Sequence, residues 1–201
     1  MVRLYDNLFS GNGYKIRLLL TQLGGEFERV EMDIYHGATR TPAYLAINPN
    51  GRIPVLETAE GKRLAESNAI LFYLAEGTAF LPEEGWERAE VLQWMFFEQY
   101  SHEPNIATSR SWLTHGELTA ERRTALEQKR PLGYAALGVM EGHLEERAFF
   151  VAERYTIADI ALYAYTHVAD EGGFDLAPYP AIKAWLERVR SQPGHIPITQ
   201  G

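Results

Sequence analysis

The hydrophobic pattern of this chain changes its period near residue 77, and that change limits the folds that the chain can adopt. Before that point, short apolar runs with the period of a strand alternate with runs of helical period, in the order β-α-β-α-β-β-α. From Gly85 onward, the apolar residues recur at helical spacing almost throughout. The pattern therefore predicts a small α/β domain with a mixed four-stranded sheet over residues 1–77 and an all-helical domain over residues 85–201.

Several helix boundaries carry signals of their own. The run from Trp86 to about Tyr100 is apolar around much of its circumference, which predicts a helix packed between others, and Pro104 is expected to end or kink it. A second long helix is predicted from Thr119 to about Arg147, with an interruption near Pro131 and Gly133. The stretch Thr156-Ile157-Ala158-Asp159 resembles a capping box that starts a third helix.

The composition argues against several classes of function. The chain of 201 residues has a formal net charge of −8, which argues against a nucleic-acid or anionic-membrane partner. It contains no cysteine, so any thiol in its chemistry must arrive with a substrate. No run approaches the length of a membrane span, and the first six residues do not resemble a signal peptide. We therefore expect a cytoplasmic protein with no membrane partner.

Standard cofactor motifs do not fit the sequence. Gly11-Asn12-Gly13 begins like a dinucleotide-binding fingerprint, but the third glycine position holds Ile16. Gly61-Lys62 is followed by Arg63 and lacks the spacing of a phosphate-binding loop. The six histidines show no metal-ligand spacing. We therefore expect neither a nucleotide nor a metal cofactor.

A hydroxyl at the first predicted strand-to-helix junction is the leading candidate for a functional group. Residues 2–5 are predicted as a strand, Ser10-Gly11-Asn12-Gly13 as a turn and residues 13–23 as a helix. Helix N–H groups point outward at such a junction and the helix dipole favours negative charge there, so Ser10 is placed to meet a substrate anion. The alternative is that Ser10 is only an N-cap, a role that serine favours for its own reasons.

Three blocks of sequence give the chain a resemblance to a known family. They are Ser10-Gly11-Asn12, Asn48-Pro49-Asn50-Gly51-Arg52-Ile53-Pro54-Val55-Leu56 and Leu64-Ala65-Glu66-Ser67-Asn68-Ala69-Ile70. Together with the helical second half, they resemble a cytosolic glutathione S-transferase over the whole chain. Ser10 makes the chain similar to the serine-type, bacterial-like members of the theta or beta kind. The resemblance implies a thioredoxin-like glutathione-binding domain, an all-helical domain, a homodimer and glutathione as co-substrate.

The resemblance also implies a role for each block in binding glutathione. Ser10 would donate a hydrogen bond to the sulfur and stabilise its thiolate, while Asn12 would hold the loop or donate as well. The Ile53-Pro54 bond would be cis and would present the Ile53 backbone to the cysteinyl residue. Ser67 would bind the γ-glutamyl carboxylate and Glu66 the α-amine.

Two further groups of residues are candidates for the remaining contacts. Arg40 and Arg52 are candidates for the glycyl carboxylate, and the alternative for both is a solvated surface charge. The electrophilic second substrate is expected between the domains. Its candidate residues, each of which could equally be a core residue, are Phe9, Tyr100, His102, Arg110 and Trp112.

The expected activity is glutathione transfer, in which the glutathione thiolate attacks an electrophilic second substrate. Three alternatives stay open: a glutathione-dependent isomerase of the zeta type, a disulfide or peroxide reductase, and a non-catalytic ligand-binding protein on the same fold. Zeta enzymes carry Ser-Ser-Cys where this chain has Ser10-Gly11-Asn12, which weakens the first alternative. The presence of all three blocks argues against the last.

Overall fold

The computed structural model describes residues 1–115 and 117–201, which form two compact units. Unit 1 comprises Met1–Thr78 together with Pro193–Gly201, and unit 2 comprises Ala79–Gln192. Unit 1 contains the sheet, and unit 2 is built of helices. No helix in the described part of the chain is long and apolar enough to cross a membrane.

The secondary structure follows the predicted change of pattern. The four strands are β1 (Val2–Asp6), β2 (Phe27–Glu31), β3 (Val55–Glu57) and β4 (Arg63–Ala65). The helices of unit 1 are α1 (Gly11–Gln22), α2 (Pro42–Leu45) and α3 (Ser67–Ala75). The helices of unit 2 are α4 (Gly85–Phe97), α5 (Glu103–Thr114), α6 (Ala120–Leu144), α7 (Ile157–Thr166) and α8 (Pro180–Arg190).

The sheet is mixed and four-stranded, as predicted, with the strand order β2-β1-β3-β4. β1 runs parallel to β2, and β3 runs antiparallel to both β1 and β4. In the register, Tyr5 lies opposite Val55, and Val55 lies opposite Ala65. The end of β1, the start of β3 and the end of β4 therefore share one edge, which we call the Tyr5 edge of the sheet.

The first helix begins at Gly11, ahead of the predicted start at residue 13. Ser10 is its N-cap, and the Ser10 hydroxyl accepts a hydrogen bond from the Gly13 N–H at 3.2 Å. Gly13 thus belongs to the first helical turn and not to a separate loop. A β-carbon at this position would collide with Oδ1 of Asp6. The glycine is needed because it lets the buried carboxylate of Asp6 approach the helix backbone closely.

The segment Pro193–Gly201 packs on α1. The Tyr14 hydroxyl donates to the Ile196 carbonyl at 2.7 Å, and Arg17 Nη1 donates to the Ile198 carbonyl at 3.0 Å. The predicted helical domain, residues 85–201, includes this segment, whereas the structure joins it to unit 1. Its partners in α1 lie far away in the sequence, so a pattern of local periodicity does not reveal them.

The longest helix, α6, runs without a break through Pro131, and the predicted interruption there was wrong. Proline lacks the N–H that would bond the carbonyl of Glu127, but both residues are exposed, so water can bind that carbonyl. Gly133 packs so closely against the ring of Phe174 that a β-carbon would not fit. The glycine therefore reflects close packing of the helix and not its end.

The helical run predicted from Trp86 to Tyr100 ends at Phe97 and continues through a π-helical turn, Glu98–His102, into α5. Pro104 lies in the first turn of α5, where its missing N–H costs no helical hydrogen bond. The disruption expected near Pro104 is therefore a π turn followed by a new helix start.

Every residue of α7 is buried, which places this helix at the centre of unit 2. Thr156 and Asp159 form the predicted capping box at its start. Asp159 Oδ1 also accepts the Phe150 N–H at 3.2 Å and the Trp185 Nε1–H at 2.9 Å. One carboxylate thus connects the start of α7 with the preceding loop and with α8.

Candidate functional site

The three sequence blocks converge on the Tyr5 edge of the sheet. Ser10 follows the end of β1, Ile53-Pro54 precedes the start of β3, and Glu66-Ser67 follows the end of β4. They meet because the register aligns these three strand ends. Both α1 and α3 begin at this edge and contact each other. Two helix N-termini at one edge make a place that favours a negatively charged ligand.

Ser10 serves as a cap and still has a proton to give. Its Oγ accepts the Gly13 N–H at 3.2 Å, and the residue is partly exposed. A hydroxyl has one proton and two lone pairs, so the capping bond does not use the O–H donor. The capping role and the anion-binding role of Ser10 are therefore compatible.

Ser67 is joined to α1 by hydrogen bonds with two of its side chains. Ser67 Oγ donates to Asn12 Oδ1 at 3.0 Å and accepts from Lys15 Nζ at 3.3 Å. Lys15 Nζ also donates to Asn68 Oδ1 at 3.4 Å. The Lys15 side chain is fully buried, and Ser67 is buried as well. A single chain of hydrogen bonds thus connects the first and third sequence blocks.

Lys15 is absent from the sequence-based candidates, although the pattern contains a signal for it. It lies between Tyr14 and Ile16, in a part of α1 that is buried throughout. A lysine in a buried helical run needs polar partners, because burying an ammonium without them is costly. The apolar period of α1 alone does not indicate this role, because it predicts only which face of the helix is buried.

Glu66 has an unusual backbone conformation immediately before α3. Its φ is 68° and its ψ is 112°, and its side chain is exposed. Residues other than glycine rarely adopt a positive φ, and such conformations are concentrated at binding sites. Its exposed carboxylate is accessible to a cationic group of a ligand.

The peptide bond between Ile53 and Pro54 is cis, as the resemblance implies. The preceding Arg52 carbonyl accepts from the Tyr44 hydroxyl and from Asn48 Nδ2, each at 2.8 Å. Both donors are buried, and burial raises the pKa of Tyr44 to about 12, so its hydroxyl keeps its proton. These two residues hold the loop that presents Ile53. Asn48 belongs to one of the three sequence blocks without a predicted role of its own, and Tyr44 belongs to none of them.

Of the two arginines predicted for the glycyl carboxylate, Arg52 directly precedes Ile53, and Arg40 ends a 3-10 helix ahead of α2. Both Arg40 and Arg52 have exposed side chains. Arg40 Nη1 donates to the Asn50 carbonyl at 3.2 Å, which ties its guanidinium to the loop that precedes Ile53. The assignment of either residue to a carboxylate stays a prediction.

Some of the candidates for the second substrate offer accessible aromatic surface. In unit 1, Phe9 is 46% exposed. In unit 2, Tyr100 is 86% exposed on the π turn. Trp112 is half-buried, with the cations of Arg122 and Lys129 each 5.8 Å from its ring centre. Phe9 and Tyr100 therefore have the more open rings.

The other two candidates take part in the packing of unit 2. His102 is fully buried, and its Nε2 lies 2.9 Å from Thr166 Oγ1. Arg110 is buried too, and its Nε lies 2.6 Å from a carboxylate oxygen of Glu171. Both side chains are therefore bonded to other residues of unit 2.

The donor groups of the Tyr5 edge suit an anionic organic ligand. They comprise two hydroxyls, an ammonium and the N–H groups of two helix starts. Over residues 1–115 and 117–201, no three or more histidine, aspartate or glutamate side chains form a group that could hold a metal ion.

Comparisons with models of known families show to which family the chain belongs. The family model described as Glutathione S-transferase, N-terminal domain, matches residues 1–76. The model described as Glutathione S-transferase, C-terminal domain, matches residues 93–193. The chain belongs to the glutathione S-transferase family. The family and the fold expected from the sequence blocks are thereby confirmed.

The names of known relatives of this glutathione S-transferase state several different activities. A crystal structure of a glutathione S-transferase from Pseudomonas fluorescens Pf-5 covers 99% of both chains with a TM-score of 0.97 and 54% identity. The disulfide-bond oxidoreductase YfcG of Escherichia coli K12 is 34% identical over 189 residues, which cover 90% of this chain and 87% of that protein. A maleylacetoacetate isomerase of Rhizobium meliloti 1021 is 33% identical over 187 residues, with the same coverage. The comparisons thus support a glutathione-related enzyme without selecting one reaction.

Proposed function

We propose that this chain is a serine-type glutathione transferase, which binds glutathione along the Tyr5 edge and activates its thiol for attack on an electrophile. The observation that carries the proposal is the Ser10 hydroxyl, whose O–H is not used by the helix cap and which shares its sheet edge with Ser67. In the reaction, the thiolate sulfur bonds to the electrophilic carbon, and the leaving group departs with the electron pair of its bond.

The polar groups of this edge match the functional groups of glutathione. Ser67 and the N–H groups at the start of α3 suit the γ-glutamyl carboxylate, and the exposed carboxylate of Glu66 suits the α-amine. The Ile53 backbone suits the cysteinyl peptide unit, which would pair with it like an added strand. Arg40 or Arg52 supplies the positive charge for the glycyl carboxylate.

Activation of the thiol requires only a modest stabilisation of its anion. A free thiol has a pKa of about 8.5, and lowering it by about 2 units takes roughly 2.7 kcal/mol. A hydrogen bond to a charged group contributes about 1.5–3 kcal/mol, and a helix N-terminus adds up to about 1 kcal/mol. Ser10 and the start of α1 together supply the required amount, with Asn12 holding the turn beside them. Ser10 therefore acts as a donor to sulfur and not as a nucleophile.

Replacing Ser10 by alanine tests this mechanism. We expect the pKa of the bound thiol to rise by about 1–2 units and kcat near neutral pH to fall about 10- to 100-fold, because the anion loses its donor. Glutathione affinity should change little, since the contacts of the carboxylates remain. The thiolate is followed by its ultraviolet absorbance in a pH titration, and the affinity by calorimetry. Ser10→Thr, which keeps the hydroxyl, is the matched control. An unchanged thiol pKa in Ser10→Ala would refute the mechanism.

For the second substrate, we propose contact with an exposed aromatic ring, and Phe9 of unit 1 and Tyr100 of unit 2 are two separate candidates. Aromatic surface left open to solvent suits an apolar electrophile. His102 and Arg110 are less suited to a direct contact, because their side chains are buried and bonded within unit 2.

A second candidate function is disulfide reduction. One observation favours it: a relative is named as a disulfide-bond oxidoreductase. The chain itself contains no cysteine. Without its own thiol, the protein would use the thiolate of bound glutathione to attack a glutathione mixed disulfide. One S–S bond breaks as another forms, which releases oxidised glutathione and a free thiolate.

A panel of substrates separates these functions. Conjugation of an aryl halide supports transfer, consumption of a glutathione mixed disulfide or a hydroperoxide supports reduction, and cis–trans conversion of a maleyl acid supports isomerisation. A non-catalytic carrier would bind glutathione and turn over none of them. Saturable turnover of any one substrate excludes the carrier.

Family membership also supports a homodimer. Light scattering on the purified chain is expected to give twice the mass of one chain, and a value equal to one chain would reject the dimer.

A further inference from the structure

Two side chains hold the backbone of the turn that leads from β1 to Ser10. The Leu8 N–H donates to Glu31 Oε1 at 3.4 Å, and the Phe9 N–H donates to Asn7 Oδ1 at 3.2 Å. The Ser10 N–H donates to the Asn7 carbonyl at 2.9 Å, which closes a β-turn with asparagine at its first position. Asn7 and Glu31 thus accept the backbone donors of all three residues that follow Asn7.

The buried side chain of Asn7 also bonds to the end of β2. Its Nδ2 donates to Glu31 Oε1 at 2.9 Å and to the Met32 carbonyl at 3.2 Å. The other carboxylate oxygen of Glu31 is paired with Arg29, which keeps the Glu31 side chain in place. An amide has both donors and an acceptor, so one side chain connects the turn to β2.

These bonds do more than a turn requires. An asparagine that only closes a turn uses its side-chain oxygen alone, whereas Asn7 also uses its amide N–H groups to fix the turn against the sheet. On its other side, Ser10 is bonded to α1, because its carbonyl accepts the Tyr14 N–H at 2.9 Å. The position of the Ser10 hydroxyl between sheet and helix therefore depends on Asn7.

We propose that Asn7, held by Glu31, is a positioning residue that sets the distance and angle between the Ser10 hydroxyl and the glutathione sulfur. This inference rests on the proposed glutathione function. A hydrogen bond weakens steeply as its angle departs from linear, and a displacement of about 1 Å can cost about 100-fold in rate. The bonds of Asn7 to β2 thus affect the thiol through Ser10, without a contact of their own to the sulfur.

Asn7→Ala tests the proposal through the ionisation of bound glutathione. The pKa of the bound thiol should rise by about 0.5–1 units, and kcat near neutral pH should fall about three- to tenfold. The KM for glutathione should stay within about twofold, since the contacts of its carboxylates remain. Ultraviolet titration of the thiolate and steady-state kinetics measure these quantities. Leu71→Val, a change in the core of the same unit, should leave both the thiol pKa and kcat unchanged.

Glu31 allows a test in which positioning and charge have opposite signs. Removing a negative charge by itself favours a nearby thiolate and lowers its pKa. Glu31→Ala also removes the acceptor of Asn7 Nδ2 and of the Leu8 N–H, so positioning predicts a higher thiol pKa. Glu31→Gln removes the charge but keeps an acceptor oxygen, and should leave the thiol pKa unchanged or lower. A fall of the pKa in both variants would overturn the proposal.

A double-mutant cycle separates an action through Ser10 from a general loss of structure. Because Asn7 acts through the Ser10 hydroxyl, adding Asn7→Ala to Ser10→Ala should change kcat by less than about twofold and leave the thiol pKa where Ser10→Ala puts it. Additive losses would refute the proposal.

The single variants also distinguish the two levels of the argument. If Ser10→Ala shifts the thiol pKa and Asn7→Ala does not, the role of Asn7 is refuted and the proposed function stands. If Ser10→Ala itself leaves the thiol pKa unchanged, the proposed mechanism fails. Should Asn7→Ala not fold, Asn7→Ser replaces it with the same expected shifts, and loss of folding in both variants would assign Asn7 to stability and refute the proposal.

Discussion

Asp6 and Arg17 form a fully buried ion pair behind the Ser10 turn. Arg17 Nε lies 2.9 Å from Asp6 Oδ2, while Asp6 Oδ1 has no hydrogen-bond partner among the described residues. Arg17 also donates to the carbonyls of Leu8 and Ile198, which suits a charged guanidinium. Burial raises the pKa of Asp6 from its ordinary 3.8 to about 6, and the attraction of Arg17 only partly opposes this.

The raised pKa of Asp6 should appear in the pH dependence of stability. Between pH 3.8 and about 6, the folded chain keeps a proton on Asp6 that the unfolded chain has lost. The stabilisation that comes from this bound proton is therefore complete below pH 3.8 and is lost as the pH rises through about 6. Relative to Asp6→Asn, the unaltered chain should lose up to about 3 kcal/mol of unfolding free energy between acid and neutral pH. Urea unfolding at several pH values measures the difference, and parallel profiles for both chains would contradict it.

The site residues that the sequence predicts have a local signal, whereas those that only the structure reveals depend on contacts with distant residues. Ser10 and Ser67 could be predicted because a hydroxyl at a helix start has a local signal. Lys15, Tyr44 and Asn48 act through partners that the fold brings from elsewhere in the chain. Those contacts cannot be predicted from a single sequence.

At the scale of elements, the start of α7 depends on one carboxylate. Asp159 accepts the N–H and hydroxyl of Thr156, the N–H of Phe150 and the indole N–H of Trp185. Its burial raises the pKa to about 6, while these donors act in the opposite direction. Each donor would be left without its acceptor if the carboxylate were removed.

Asp159→Ala should therefore be much more destabilising than the loss of an ordinary helix cap. We expect a loss of at least about 3 kcal/mol in unfolding free energy, since several buried donors lose their acceptor at once. Thr119→Ala removes the partly exposed cap of α6 and should cost about 1 kcal/mol. Urea unfolding of both variants gives the comparison. Equal losses would show that the additional bonds of Asp159 do not contribute.

The elements themselves could largely be predicted from periodicity and caps, and the misjudged points share one cause. The sequence predicts a break of α6 at Pro131 and a turn at Gly13, whereas α6 is continuous and Gly13 lies in the first turn of α1. Each residue has a local preference that its surroundings override: water satisfies the exposed backbone near Pro131, and Asp6 occupies the space beside Gly13. Local preference is weak wherever tertiary contacts or solvent decide.

At the scale of the whole molecule, Pro193–Gly201 is the part of unit 1 that lies outside its continuous sequence. It supplies carbonyl acceptors to two buried side chains of α1, Tyr14 and Arg17. Composition and pattern could place the change from sheet to helices near residue 77. Composition and pattern could not predict that Pro193–Gly201 belongs to unit 1, because this segment has no periodicity of its own.

Ending the chain after Gln192 should weaken unit 1 selectively. Tyr14 and Arg17 lose their acceptors, which should cost several kcal/mol, whereas Tyr14→Phe removes a single hydroxyl and should cost about 1 kcal/mol. Hydrogen exchange should become faster in β1 and α1 and stay unchanged in α7. Unchanged protection of α1 in the shortened chain would show that the segment does not hold it.

The position of this segment also bears on the order of events during translation. A ribosome synthesises the sheet of unit 1 first and all of unit 2 next, and only afterwards the residues that accept hydrogen bonds from Arg17. The strands of unit 1 must therefore wait for a segment that is synthesised after unit 2 before the core of unit 1 is complete. Nascent chains held on the ribosome before residue 193 should carry an unfinished first unit, even when the second has already folded.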